Sequence, residues 1–382
     1  MGTFQFSAPT KIIFGCGSRV RIPTLVRGRR CGVVTSPSVL GKPEVAGVLD
    51  DCRARGLQVI MLGHVSPNPR LSEVESAYTA AAAAGVESVL AIGGGSVIDA
   101  AKLLSVAVSF AQVPRRVLAE MEKVVEGGSV IDVDLVAVPT TAGTGAEVSR
   151  GAIITDDVSS GTHYEKKAAR GAELVPRSAV IDPELCISLS ARRTAEAGFD
   201  VVCHAVETLL SRASTPVTDL LAWGALEAVP SALRAAYADG SDLGARETLS
   251  LHAWLMGYNL AHASTCLPHR MQYAIGSLTD TSHQIGLAAL YPAWIRRVSK
   301  AEPELVSAII GRLAPAGQRV GDPVDVTRGF LREIGLETSL KALGVTGAQV
   351  PELAGAVAGR VDLDPIDPSP EDIRQIFEEA LD

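Results

Sequence analysis

Four residues in the second half of the chain have the types and spacing of a cation site. Asp200 and His204 stand four apart in GFDVVCHAVE. On a helix that spacing puts a carboxylate and an imidazole on one face, about a turn apart. His269, after Pro268, and His283, after Ser282, each add an imidazole. Three imidazoles with one carboxylate suit a borderline divalent metal such as Fe2+ or Zn2+, and suit Mg2+ or Ca2+ poorly. The same residues also fit a surface pair and isolated structural histidines, and spacing alone leaves that alternative open. His64, His163, His252 and His262 read as structural or surface residues.

Two glycine-rich loops in the first half have the composition of an anion site. IGGGSVIDAAK, Ile92 to Lys102, follows a β-branched run and opens a helix. Glycines let a backbone approach a ligand closely, and the free N–H groups of a first helical turn favour a pyrophosphate. PTTAGTGAEVS, Pro139 to Ser149, also follows an apolar run. Its hydroxyls and glycines suit a ribose and a nicotinamide, and a plain turn is the alternative reading.

These loops need strands and helices to hold them. Cys31–Thr35, Leu57–Leu62, Ser88–Ile92 and Leu135–Val138 read as buried strands, with Pro43–Arg55 and Leu71–Ala84 as helices between them. That alternation implies a mostly parallel sheet covered by helices on both faces. Gly151 to Ile181 reads as further strands with a loop at Asp156–Thr162. After Asp182-Pro183 the chain turns Ala- and Leu-rich, with helix caps at Ser190 and Ser241 and little strand signal. The expected division is therefore an α/β dinucleotide-binding domain at 1–183 and an all-α metal-binding, catalytic domain at 184–382. Asp362–Asp372 reads as a Pro/Asp loop before a last short helix.

With 382 residues, two domains are the natural expectation. A formal net charge of −8 and the lack of a Lys/Arg run exclude a nucleic-acid surface. The six cysteines form no CxxC pair, as in a reduced cytosolic protein. The first residues lack a secretory signal pattern. The apolar window Ala80 to Val108 is broken by Gly93, Gly94, Gly95, Asp99 and Lys102, so no membrane span is expected. The expected location is the cytoplasm.

These motifs, in this order, resemble the iron-containing (group III) alcohol dehydrogenase family. The resemblance runs from Phe14-Gly15-Cys16-Gly17 through Pro67-Asn68-Pro69, both loops, Val180 to Leu185 and GFDVVCHAVE to the two late histidines. It implies a Rossmann-like domain, a helical domain, and a cleft between them for NAD or NADP and a divalent metal. It implies that Gly94, Gly95, Ser96 and Asp99 belong to the cofactor loop, and that Thr140, Thr141 and Thr144 line the nicotinamide. Lys166 would touch its ribose. Asp200, His204, His269 and His283 match the metal ligands. A homodimer acting on a small aldehyde or alcohol is the family expectation.

Three departures from the family pattern stand out. Ser36 replaces the acidic residue that selects NAD, which admits NADP(H). Tyr273 replaces a histidine proposed as a proton relay. Arg150 and Arg270 follow the threonine loop and a metal ligand, and could form a fork for an anionic substrate group or pair with Glu147 or Asp280. Thr265 to Tyr273 resembles the branch that reduces phosphonoacetaldehyde, pointing to an aldehyde with a phosphonate or carboxylate. The implied chemistry is carbonyl polarisation by a Lewis-acid metal, with hydride from the nicotinamide. The alternatives are a dehydroquinate synthase-like lyase, which calls for Glu in place of Asp200 and crowded Lys and Arg, and a non-catalytic binding protein on the same fold.

Overall fold

In a computed structural model, described for residues 3–127, 132–158, 165–279, 281–315, 317 and 321–382, the chain divides into two compact units. One spans Ser7–Ser188; the other spans Leu189–Asp382 together with the N-terminal residues through Phe6. The change of texture at Pro183 marks the end of a strand, not the end of the first unit. The Asp182 carboxylate accepts hydrogen bonds from the backbone N–H groups of Gly17 (3.2 Å) and Arg19 (3.1 Å), tying that turn into the α/β unit.

The strands of this unit are β1 (Lys11–Phe14), β2 (Arg30–Thr35), β3 (Gln58–His64), β4 (Ser88–Gly93), β5 (Asp134–Pro139), β6 (Gly151–Asp156), β7 (Glu165–Arg170) and β8 (Ser178–Ile181). Six form a parallel sheet in the order β1-β8-β5-β4-β2-β3. The apolar runs of β4 and β5 are buried along their whole length, as sheets covered on both faces require. The helices are α1 (Ile22–Leu25), α2 (Pro37–Leu40), α3 (Pro43–Ala54), α4 (Leu71–Ala84), α5 (Gly95–Ser109) and α6 (Pro114–Gly127). Ile22, Val45, Val48 and Leu49 pack on Val33, Leu90, Ile92, Val136, Val138 and Val180. β6 and β7 form a separate antiparallel pair. Part of the loop expected at Asp156–Thr162, and His163, lie outside the described residues.

The second unit is helical: α7 (Ala191–Leu210), α8 (Pro216–Ala238), α9 (Leu243–Ala263), α10 (Leu267–Thr279), α11 (His283–Ala301), α12 (Pro303–Gly311), α13 (Pro323–Glu333), α14 (Val350–Gly355) and α15 (Pro370–Glu379). Ser190 caps α7, its hydroxyl accepting from Arg193 N. At α9 the cap is Asp242 rather than Ser241. Its carboxylate accepts from Ala245 N at 2.9 Å, while Ser241 donates its hydroxyl to Asp239. Every residue of α7 from Gly198 to Leu210 is buried, so α7 is the central helix of its unit. Among the described residues no single helix is long and apolar enough to cross a membrane. None of the six cysteines forms a disulfide, and five of them are buried.

Candidate active site

The buried face of α7 carries the carboxylate around which the helical unit gathers its imidazoles. Asp200 and His204 lie one turn apart, and His204 Nε2 stands 3.4 Å from Asp200 Oδ1. From α10, His269 Nε2 stands 3.7 Å from the same oxygen; from the start of α11, His283 Nε2 stands 3.9 Å away. Asp200, His269 and His283 offer ligand atoms within 4.8 Å of one another. The four residues named from spacing are therefore brought together. His283 is the least buried of them.

Three neighbours that spacing did not name hold these side chains. Glu207, a further turn along α7, is fully buried and accepts from His269 Nδ1 at 2.7 Å. Its other oxygen accepts from Cys266 N at 2.8 Å, just before α10 begins. Gln272 Oε1 contacts His283 Nδ1. A Cβ at Gly286 would lie 2.9 Å from Gln272 Cγ, so only glycine there lets α11 accept that side chain. Gln284 Nε2 donates to Asp200 Oδ2 at 3.3 Å. Partners on Nδ1 leave Nε2 of His269 and His283 to face the carboxylate, as metal-binding imidazoles need. Glu207 had a signal in sequence: three after His204 and seven after Asp200, it shares their helical face.

The electrostatics fit a cation. Burial opposes ionisation of Asp200, yet the three imidazoles outweigh it and hold its carboxyl well below the usual range. Burial lowers the pKa of His204. It would also lower that of His269, but Glu207 and Asp200 overcome burial and push it up to about 9. Asp200 Oδ1 and His269 Nε2 are buried and have no hydrogen-bond partner among the described residues. A divalent cation satisfies both, and three nitrogens with one oxygen match Fe2+ or Zn2+.

In the α/β unit, the loops after β2, β4 and β5 leave the carboxyl ends of adjacent parallel strands. The chain runs from β2 to one side (β3) and then to the other (β4), so β2 and β4 flank a topological switch point, where open α/β sheets bind ligands. Gly94, Gly95 and Ser96 form the start of α5, which has no side-chain cap. Its first N–H groups remain for an anion. A Cβ at Gly95 would lie 2.7 Å from Thr144 Oγ1, so the glycine also lets the threonine loop press against α5. Thr140 is buried and donates its N–H to Gly93 O at 3.0 Å; Thr141 flanks Gly94. Ser36 is half-buried after β2, and its carbonyl accepts from Val39 and Leu40.

Asp99 accepts from Ile153 N at 3.0 Å, and burial raises its pKa. Lys102, fully buried, donates to Ser149 Oγ at 2.8 Å and Gly151 O at 2.9 Å. This joins α5 to the end of the threonine loop. Lys166 Nζ donates to Asn68 Oδ1 at 3.0 Å, while Lys167 pairs with Asp156. The two lysines thus have different partners, Lys166 being the one that meets the Pro67-Asn68-Pro69 motif.

Arg150 is exposed and forms no ion pair among the described residues, Glu147 included. Arg270 is buried, and its Nη2 donates to Ser264 Oγ (3.1 Å) and Thr265 Oγ1 (3.0 Å). Asp280, its expected carboxylate, lies outside the described residues. The Tyr273 ring stacks on His283 at 6.0 Å between centroids and lies 5.9 Å from Arg270 Cζ.

A parallel α/β unit followed by a helical unit with a buried three-histidine, one-aspartate cluster has the parts of a metal-using enzyme. The sequence matches the family "Iron-containing alcohol dehydrogenase" over residues 9–183 and "Fe-containing alcohol dehydrogenase family, C-terminal" over 194–381. The 4-hydroxybutyrate dehydrogenase of Cupriavidus necator is 31% identical over 373 residues, covering 92% of each chain. The 1,3-propanediol dehydrogenase of Klebsiella pneumoniae is 28% identical over 99% of each. The crystal structure of the iron-containing alcohol dehydrogenase from Thermotoga maritima has a TM-score of 0.85 over 99% of each chain, at 27% identity. The chain belongs to the iron-containing alcohol dehydrogenase family and is an oxidoreductase acting on CH–OH groups.

Proposed function

We propose that the chain interconverts a small aldehyde and its alcohol, using NAD or NADP and a divalent ion held by Asp200, His204, His269 and His283. The observation that carries this is the convergence of three imidazole Nε2 atoms on one buried carboxylate oxygen that has no hydrogen-bond partner among the described residues. When bound, Fe2+ or Zn2+ would polarise a carbonyl and the nicotinamide would supply or accept hydride.

The chain's own residues do the rest. The start of α5, with Gly94, Gly95 and Ser96, binds the pyrophosphate, and Asp99 anchors that helix to β6. Thr140, Thr141, Thr144 and Lys166 hold the nicotinamide and its ribose. Ser36 sets no carboxylate against a 2′-phosphate, so both dinucleotides are accepted. His269 and its partner Glu207 orient one face of the metal centre. Tyr273, half-buried beside His283, moves the proton through its phenol. Arg150 and Arg270 are the groups that would read an anionic substrate end, a phosphonate or a carboxylate. The similarity to an enzyme named for 4-hydroxybutyrate supports the carboxylate. We place the protein in the cytoplasm as a homodimer, the commonest closed assembly.

The test is nicotinamide absorbance with short aldehydes, NADH or NADPH, and protein that is metal-free or loaded with Fe2+ or Zn2+. Turnover should require the metal and fall with His269→Ala, while circular dichroism shows that variant folded. Full turnover by metal-free protein would end this reading.

A further inference from the structure

The helical unit buries two arginines deeply, and they are satisfied in different ways. Arg246 donates to the carbonyls of Gly240 (3.0 Å) and Leu189 (3.4 Å) and to Thr194 Oγ1 (2.8 Å). Arg270 is 4% exposed, and its Nη2 meets two hydroxyls, those of Ser264 and Thr265. Among the described residues its buried Nε has no hydrogen-bond partner, and no carboxylate forms an ion pair with it. A buried cation with no counter-ion among the described residues is costly unless an anion arrives to complete it.

The surroundings fit an anion that comes and goes. A hydroxyl that accepts from a guanidinium keeps its own O–H to donate. Arg270, Ser264 and Thr265 together thus present a planar cation and two O–H groups to an oxyanion. Arg270 and Thr265 are buried, while Ser264 and Tyr273 at the edge of the cluster are half-buried. Tyr273 lies against the guanidinium on one contact and the His283 ring on another, which places the cluster beside the metal-binding histidines.

We propose that Arg270, with the hydroxyls of Ser264 and Thr265, is the site for a terminal oxyanion on the substrate. The preferred substrates are then short aldehydes ending in a carboxylate, phosphonate or sulfonate. This rests on the reading of the histidine cluster as the carbonyl site.

Two measurements test it. In the Zn2+-loaded enzyme, KM is compared for butyraldehyde and succinic semialdehyde, and for phosphonoacetaldehyde and sulfoacetaldehyde against propionaldehyde. The anionic member of each comparison should have the lower KM for at least one oxyanion, and the ranking identifies which. Arg270→Ala should raise the anionic-to-neutral KM ratio about 10- to 100-fold, the loss of hydrogen bonds to a charged group. Arg270→Lys should fall between, because it keeps charge and loses the fork. Thr265→Val, which preserves shape, should move the ratio the same way and stands in should Arg270→Ala not fold. Separately, methylphosphonate, methanesulfonate and acetate are titrated calorimetrically into metal-free protein. Binding of at least one, weakened tenfold or more in the Arg270 variants, supports the site. A ratio unmoved in every folded variant, or anion binding indifferent to Arg270, overturns it. If no aldehyde is turned over at all, the redox reading fails, and the calorimetry still decides the anion site.

Discussion

Glu207→Gln is the sharpest probe of how the metal centre is held. The carboxylate accepts from His269 Nδ1 at 2.7 Å and from Cys266 N at 2.8 Å, with the side chain fully buried. An amide has one acceptor end. Whichever way it turns, its NH2 faces a donor. If the NH2 faces His269, the imidazole proton is driven to Nε2, the nitrogen that points at Asp200; if it faces Cys266, that N–H is orphaned beside α10. Either outcome removes one buried hydrogen bond to a charged group, about 1.5–3 kcal/mol. At about 1.4 kcal/mol per decade, Zn2+ affinity should fall about 10- to 100-fold, the range for lost outer-shell partners. Competition against a chromophoric chelator measures it, with circular dichroism confirming the fold. A Kd within about threefold of the unmodified protein would refute the idea that Glu207 sets the imidazole.

Other consequences follow from the same geometry. His269 in metal-free protein has its pKa raised from 6.5 to about 9, so below about 9 the metal must displace a proton. Zn2+ affinity should therefore rise about tenfold per pH unit as pH approaches 9 and then level off. The same shift stabilises the metal-free fold fully below 6.5 and is lost as pH rises through about 9, which thermal melts across pH would show. Gly95→Ala sets a Cβ 2.7 Å from Thr144 Oγ1 and should cost about 1–3 kcal/mol of stability while weakening NADH binding, measured by fluorescence titration. Ser36→Asp should raise the Kd for NADPH at least tenfold over that for NADH; equal effects would mean that Ser36 does not face the ribose.

Much of this was legible because it is local. A parallel sheet buries its inner strands on both faces, so apolar runs marked β2, β4 and β5 to within two residues. Leu57–Leu62 marked β3 equally well, but as the sheet's edge strand it is mostly half-buried or exposed, not the buried strand expected. Asp200 and His204 were legible because a helix repeats within four residues. Gln272, Gln284 and Asp364 were not, since what they hold lies on other helices: Asp364 Oδ2 accepts from Leu267 N and Trp294 Nε1, both at 2.9 Å. In sequence the glycines of the β4 loop signal room for a ligand; Gly95 also makes room for Thr144, a contact no pattern in one segment records. Ser241 has the residue type of a cap, but Ser and Asp compete for that position, and the register of α9 selects Asp242.

The placement of the histidines has an electrostatic cost that points to the role of Asp200. His269 sits in the first turn of α10, and His283 is the first residue of α11. Helix N-termini carry partial positive charge, so both are poor places for a cation, by about 0.3–1 kcal/mol each and more when buried. Glu207 and Asp364 offset the field of α10 by accepting from Cys266 N and Leu267 N. Asp200, inside α7, is the one carboxylate among the four candidate ligands and faces all three imidazoles. Its charge, beyond its oxygen, should then be what makes the site accept a metal. Asp200→Asn keeps an oxygen ligand and removes the charge; Zn2+ affinity should fall more than a hundredfold, since a buried charge loses its counterpart. His204→Ala removes a ligand and keeps the charge, and should cost less. If chelator competition shows equal losses for the two, the helix fields are not what Asp200 opposes.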